Sequence, residues 1–146
     1  MSGLPKWLQA PAEQLHWMLV QQRLPHAILL VAPAGSGKRQ LAEQLAAALL
    51  CVQRRADAPL SACGRCAGCA LWASGNHPDW HVLQPPPDKQ SIGIEQVREF
   101  SAAIQLAAGR GGARVALIDP ADKLTLAAFN ALLKTLEEPP AGAHII

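Results

Sequence analysis

The stretch LLVAPAGSGKRQL, residues 29–41, constrains the fold more than any other part of the chain. It leads from an apolar run, residues 27–31, through a glycine-bearing turn into Lys38–Leu50, where Leu41, Leu45 and Leu49 recur every four residues. A short unbroken apolar run marks a strand covered on both faces, and the four-residue spacing marks a helix with one buried stripe. Strand, tight turn and helix in that order form the repeating unit of a parallel sheet, whose neighbouring strands need a crossover connection long enough to hold a helix.

The rest of the chain repeats the alternation. Residues 80–83 and 114–118 are further strand candidates, and AHII at 143–146 begins another. Helical spacing covers residues 12–22, with Leu15, Met18 and Leu19 on one face, and residues 94–106, through Ile94, Val97 and Ile104. The strongest helix is 125–138: Thr125 can cap its first turn, Leu132 and Leu136 stack four apart, and Pro139 and Pro140 end it. Residues 84–93 hold three consecutive prolines and are a loop. The expectation is one α/β domain over residues 1–146 with a largely parallel sheet, interrupted by an aperiodic insertion at 51–75. A final strand begun only at 143 suggests a fragment of a longer protein.

Composition narrows the function classes. Half of the 146 residues are apolar, which excludes a disordered chain, and a net charge of +2 is too small to carry strong nucleic-acid binding alone. No apolar run reaches the roughly 18 residues of a membrane span, and the N-terminus lacks the charged start and apolar stretch of a signal peptide. A cytoplasmic location follows by default. There the four cysteines stay reduced, and their clustering points to metal before disulfides.

A phosphate-binding loop reads G-x-x-x-x-G-K-[ST], its glycines turning backbone N–H groups inward and the next helix adding positive partial charge. Here Gly35, Ser36, Gly37 and Lys38 are in place, but Ala32 holds the leading glycine position and Arg39 the hydroxyl position. That hydroxyl ordinarily helps hold Mg²⁺, and a guanidinium has only donors and a fixed positive charge. Asp119, after RVALI, stands where a metal-positioning aspartate belongs, but Pro120 follows where hydrolysing relatives carry a glutamate. Two catalytic positions are degraded together. The expected site, Ala32, Gly35, Ser36, Gly37, Lys38, Arg39 and Asp119, is therefore vestigial, with no catalytic residue.

All four cysteines fall in CVQRRADAPLSACGRCAGC as Cys51, Cys63, Cys66 and Cys69. Gaps of two residues let thiolates converge, and Gly64 and Gly68 ease the turns between them. Four cysteines make a closed tetrahedral site without room for water, hence a structural Zn²⁺ that holds together an otherwise unstructured insertion. His77 is an alternative fourth ligand if Cys51 faces the core. His16, His26, His81 and His144 are scattered without a nucleophile nearby, and Trp7, Trp17, Trp72 and Trp80 read as core or interface packing. The tripeptide His77–Pro78–Asp79 matches a co-chaperone motif, but it precedes a strand instead of joining two helices.

HAILLVAPAGSGK, the four-cysteine insertion, GNHPDWHVL, IGIEQVREF and above all LTLAAFNALLKTLEEPP together resemble bacterial sliding-clamp loader subunits of the AAA+ class, from about His26 to the end. The resemblance implies a P-loop NTPase (AAA+) type parallel sheet flanked by helices, with a small zinc-binding insertion built on the four cysteines. It has hydrolysing members, of the gamma/tau kind, and non-hydrolysing delta-prime members; Ala32, Arg39 and Pro120 place this chain beside the latter. The implied role is in DNA replication, as a subunit of the DNA polymerase III nucleotidyltransferase complex without ATPase activity of its own. The implied partners are the gamma/tau ATPase and delta subunits and, through the assembled complex, the sliding clamp and primed DNA, with no membrane. The retained Lys38 leaves weak nucleotide binding open. The family's Ser-Arg-Cys motif is not among these residues and is expected beyond Ile146, with the lid and collar domains. A gamma/tau-like ATPase and a free zinc-dependent nucleic-acid-binding module are the competing readings.

Overall fold

The computed structural model describes residues 3–106 and 112–146. They divide into two units, the first of residues 3–25 and 29–77, the second of 26–28, 78–106 and 112–146.

The first unit is helical. Helix α1, Lys6–Val20, begins six residues earlier than its spacing suggests and carries Pro11 within it. Proline removes one N–H from the helix, and burial of Leu8, Ala12, Leu15 and Leu19 along a single stripe outweighs that loss. Helix α2, Lys38–Leu50, packs on α1. Its buried residues include Leu41, Ala42, Leu45, Ala46 and Ala48. The insertion contains a short helix that its composition conceals, α3, Ala67–Ala73, packed against α2.

The second unit holds three parallel strands, β1 (Trp80–Leu83), β2 (Arg114–Ile118) and β3 (Ala143–Ile145), in the order β1-β2-β3. Trp80 pairs with Val115, and Arg114 with Ala143. Helices α4 (Ile94–Gln105) and α5 (Leu126–Glu137) make the crossovers and pack on each other. All five residues of β2 are buried, as expected of a central parallel strand. Its core joins Leu83, Phe100, Ile104, Ile118, Leu132 and Ile145, with Ile92 and Val97 fully enclosed. Thr125 caps α5 by accepting from the Ala128 N–H at 3.1 Å. A parallel sheet flanked by helices is thus present.

Residues 27–31 correct the sequence reading. Only Ala27 bridges, to Ile145, with His26 and Ile28 supplying the two hydrogen bonds at 2.7 and 2.8 Å. Leu29 and Val31 are 76% and 85% exposed instead of buried on both faces.

Arg114 is buried in the second unit. Its guanidinium donates to the Ile104 and Leu106 carbonyls at the end of α4 and to the Ala141 carbonyl before β3. A cation at a helix C-terminus meets the negative end of the helix dipole, and here it also satisfies carbonyls that the helix leaves open.

Candidate functional site

The four cysteines converge. Cys51 is the residue that closes α2, while Cys66 caps α3, and Cys69 lies in that helix's first turn. Their four sulfurs all lie within 4.8 Å of one another, with Cys51 to Cys66 and Cys63 to Cys69 each at 3.9 Å. Tetrahedral coordination at a metal–sulfur distance of about 2.3 Å requires sulfurs about 3.8 Å apart, so the donor set fits such an ion. His77, buried near Gly68, is not among the converging ligand atoms, whereas the Cys51 sulfur is.

The backbone prepares these sulfurs for negative charge. The N–H groups of Cys63, Gly64 and Cys69 donate to the sulfurs of Cys51, Cys69 and Cys66 at 3.3, 3.3 and 3.4 Å. Gly64 makes the turn possible at φ +74°, in the left-handed region that glycine enters freely. Burial works against ionisation of Cys66, but the Cys69 and Val52 N–H groups with the adjacent thiols outweigh it and bring the pKa down to about 6. Burial pushes Cys69 up to about 12 and also raises Cys51. Cys63 is lowered, chiefly by the Arg65 N–H. The cluster therefore eases ionisation at Cys66 and Cys63 and resists it at Cys69 and Cys51 unless a cation joins them. A metal ion is the group such a site suits.

The phosphate-type loop lies in the first unit. Gly35 and Gly37 have φ of +77° and +86°, the left-handed conformations of a tight turn, and Gly37 immediately precedes α2. Lys38 turns back on its own loop, its Nζ 3.3 Å from the Ala32 carbonyl and 3.5 Å from that of Pro33. Arg39 Nε donates to Glu43 at 2.8 Å, one turn along the exposed side of α2. The Ser36 hydroxyl is buried without a hydrogen-bond partner. Helix α1 meets this loop: the Trp7 indole N–H donates to the Ser36 carbonyl at 2.9 Å, and Leu8 lies where a Cβ on Gly37 would sit. Asp119 ends β2 in the second unit, its N–H bound to the Leu83 carbonyl.

A profile of the family described as DNA polymerase III, delta subunit, matches residues 8–146. The chain belongs to that family. Among its curated relatives are the DNA polymerase III subunit delta' of Pseudomonas aeruginosa, 45% identical over all of this chain and 43% of the relative, and that of Yersinia pestis, 44% identical over 96% of this chain and 40% of the relative. The chain thus spans about two fifths of the length of these proteins. A DNA polymerase III gamma subunit-related protein from Thermotoga maritima shares the fold, with a TM-score of 0.59 and 20% identity over 92% of this chain and 37% of that one. Among the described residues, no helix of this family member is long and apolar enough to cross a membrane.

Two roles in the first unit, those of Trp7 and His16, escaped the sequence reading. Trp7 and Trp17 are 67% and 56% exposed, so neither is core, and Trp7 carries a specific bond to the loop. His16 binds the cysteine insertion with both ring nitrogens. Neither role has a spacing signature, because each joins segments at least 29 residues apart.

Proposed function

We propose that this chain is the N-terminal AAA+ type domain of a non-hydrolysing, delta-prime type clamp-loader subunit of the DNA polymerase III holoenzyme, acting in DNA replication in the cytoplasm. The observation that carries the reading is the loop at Gly37–Arg39. Its glycine turns persist, yet the magnesium-holding position presents a guanidinium bound to Glu43, and Lys38 rests on the loop's own carbonyls. Such a loop keeps the shape of a nucleotide site without the means to hold the metal ion that phosphate transfer needs. The delta' names of relatives 44% and 45% identical to this chain support the same assignment. The vestigial loop comprises Ala32, Gly35, Ser36, Gly37, Lys38 and Arg39; Asp119, in the second unit, holds the remnant acidic position by its place in the sequence.

The metal is a structural zinc held by Cys51, Cys63, Cys66 and Cys69. Bound there, it supplies the charge that lets the buried thiolates coexist, and it takes part in no reaction. As a rigid subunit the protein would work beside gamma/tau ATPase and delta subunits, which together open the sliding clamp and place it on primed DNA.

A competing reading rests on a Bacillus subtilis DNA polymerase III subunit tau that is 34% identical over 84% of this chain and 21% of its own length. A gamma/tau-like subunit would hydrolyse ATP. The deciding test is phosphate release from ATP by purified chain, with Lys38→Ala as control. No turnover is expected in either protein; turnover abolished by Lys38→Ala would establish the ATPase instead.

A further inference from the structure

Between Cys51 and Cys63 the chain makes an eleven-residue excursion, residues 52–62, before the two sulfurs meet. Ordering such a connection costs backbone entropy, which weakens the metal unless something else fixes it. His16, on α1, meets this connection at two points. Its Nδ1 accepts from the Leu60 N–H at 3.3 Å, and its Nε2 lies 3.3 Å from the Ala56 carbonyl. Only the neutral tautomer with hydrogen on Nε2 serves both, accepting on one side and donating on the other.

The residue held this way is itself unusual. Leu60 is fully buried, and its φ of +47° falls in the left-handed region, which a branched residue occupies only when its surroundings enforce it. The Leu60 side chain and the His16 bond together hold that backbone in place. Three residues later Cys63 reaches the cluster, its N–H on the Cys51 sulfur at 3.3 Å.

We infer that His16 is a positioning residue of the metal centre: it clamps the connection at Ala56 and Leu60 so that Cys51 and Cys63 are presented together before the ion arrives. This rests on the metal reading above. The ligands stay in place when His16 is changed; what is lost is their preorganisation, so metal dissociates faster and rebinds less tightly.

The test uses zinc-loaded chain challenged with a chromophoric chelator, and the release rate is read. His16→Ala is expected to speed release about tenfold, the lower end of what supporting groups around a metal contribute. His16→Asn puts a carbonyl oxygen near the place of Nδ1, keeps the Leu60 bond and recovers part of the loss. His16→Gln gives the milder check if the alanine variant fails to fold. Amide exchange at Leu60 should quicken with His16→Ala and not with His16→Asn. Wild-type chain that binds no zinc overturns the metal reading and this inference with it. Wild-type chain that binds zinc, with a release rate unchanged by His16→Ala, overturns the clamp alone.

Discussion

Gly68 passes directly over the Leu50 carbonyl, leaving no room for a Cβ atom between the first turn of α3 and the last of α2. That approach brings Cys69, one residue on, toward Cys51, one residue past Leu50. Gly68→Ala should therefore force the two helices apart. Because the obstacle is backbone, the expected cost is about 1–3 kcal/mol, the usual range for overpacking. Urea denaturation of zinc-loaded protein measures it. Gly64→Ala is the comparison: space around residue 64 is open, but its φ of +74° is strained for alanine, at roughly 1–2 kcal/mol. A Gly68→Ala midpoint equal to wild type would mean that the helices yield without penalty.

Replacing any one of the four cysteines by serine should lower zinc from about one ion per chain toward zero, since a closed structural site has no spare ligand. Elemental analysis after gel filtration reads this directly. Loss of metal also leaves buried thiols without a cation, so residues 51–77 should become the first segment cut by protease. His77→Ala should keep its zinc, because the structure leaves that ring out of the ligand set. Zinc lost from His77→Ala and retained by Cys51→Ser would reverse the assignment.

The second unit was legible in outline because its signals are local. Residues 80–83 and 114–118 were placed to the residue as β1 and β2, and Thr125 caps α5 as its position before an apolar run implies. The cysteine cluster was legible for the same reason: three cysteines at spacings of three need only one turn to converge. What failed was non-local. The run at residues 27–31 has strand composition, but a strand exists only where a partner's backbone is available, and pairing stops at Ile28. Helix α3 lies among glycines and cysteines, and it is held by a sulfur cap and by packing on α2, which no periodicity reports. The start of α1 at Lys6, upstream of Pro11, depends likewise on what Leu8 packs against.

The pH dependence of the second unit should carry a signature of His81. Burial lowers its pKa below the ordinary 6.5; the Asp79 carboxylate opposes this and Arg114 adds to it. The unfolded chain then takes up a proton at a higher pH than the folded one. Stability present above pH 6.5 is therefore lost as pH falls through the window between 6.5 and the lowered folded value. His81→Gln removes that linkage, so it should lose less stability than wild type between pH 7.5 and pH 5. Urea midpoints at both pH values, compared as a difference between the two proteins, cancel the contribution of the cysteines. Parallel losses in wild type and variant would assign the dependence elsewhere.

The hydroxyl position of the loop offers the sharpest separation between shape and chemistry. Arg39→Thr removes a guanidinium bound to Glu43 and restores an alcohol beside Lys38, while the turns at Gly35 and Gly37 are untouched. If the loop still has the form of a phosphate cradle, the variant should bind nucleotide more tightly with Mg²⁺ than without, whereas the wild type should be indifferent to the ion. Lys38 must leave the Ala32 and Pro33 carbonyls to do so, an exchange of modest hydrogen bonds for charge-assisted ones. On the proposed reading, in which Pro120 stands at the place of the glutamate that prepares the attacking water, turnover should stay near zero. Isothermal titration with and without Mg²⁺ separates the two steps. Equal affinities for wild type and Arg39→Thr in the presence of Mg²⁺ would show that the loop has lost its geometry as well as its alcohol.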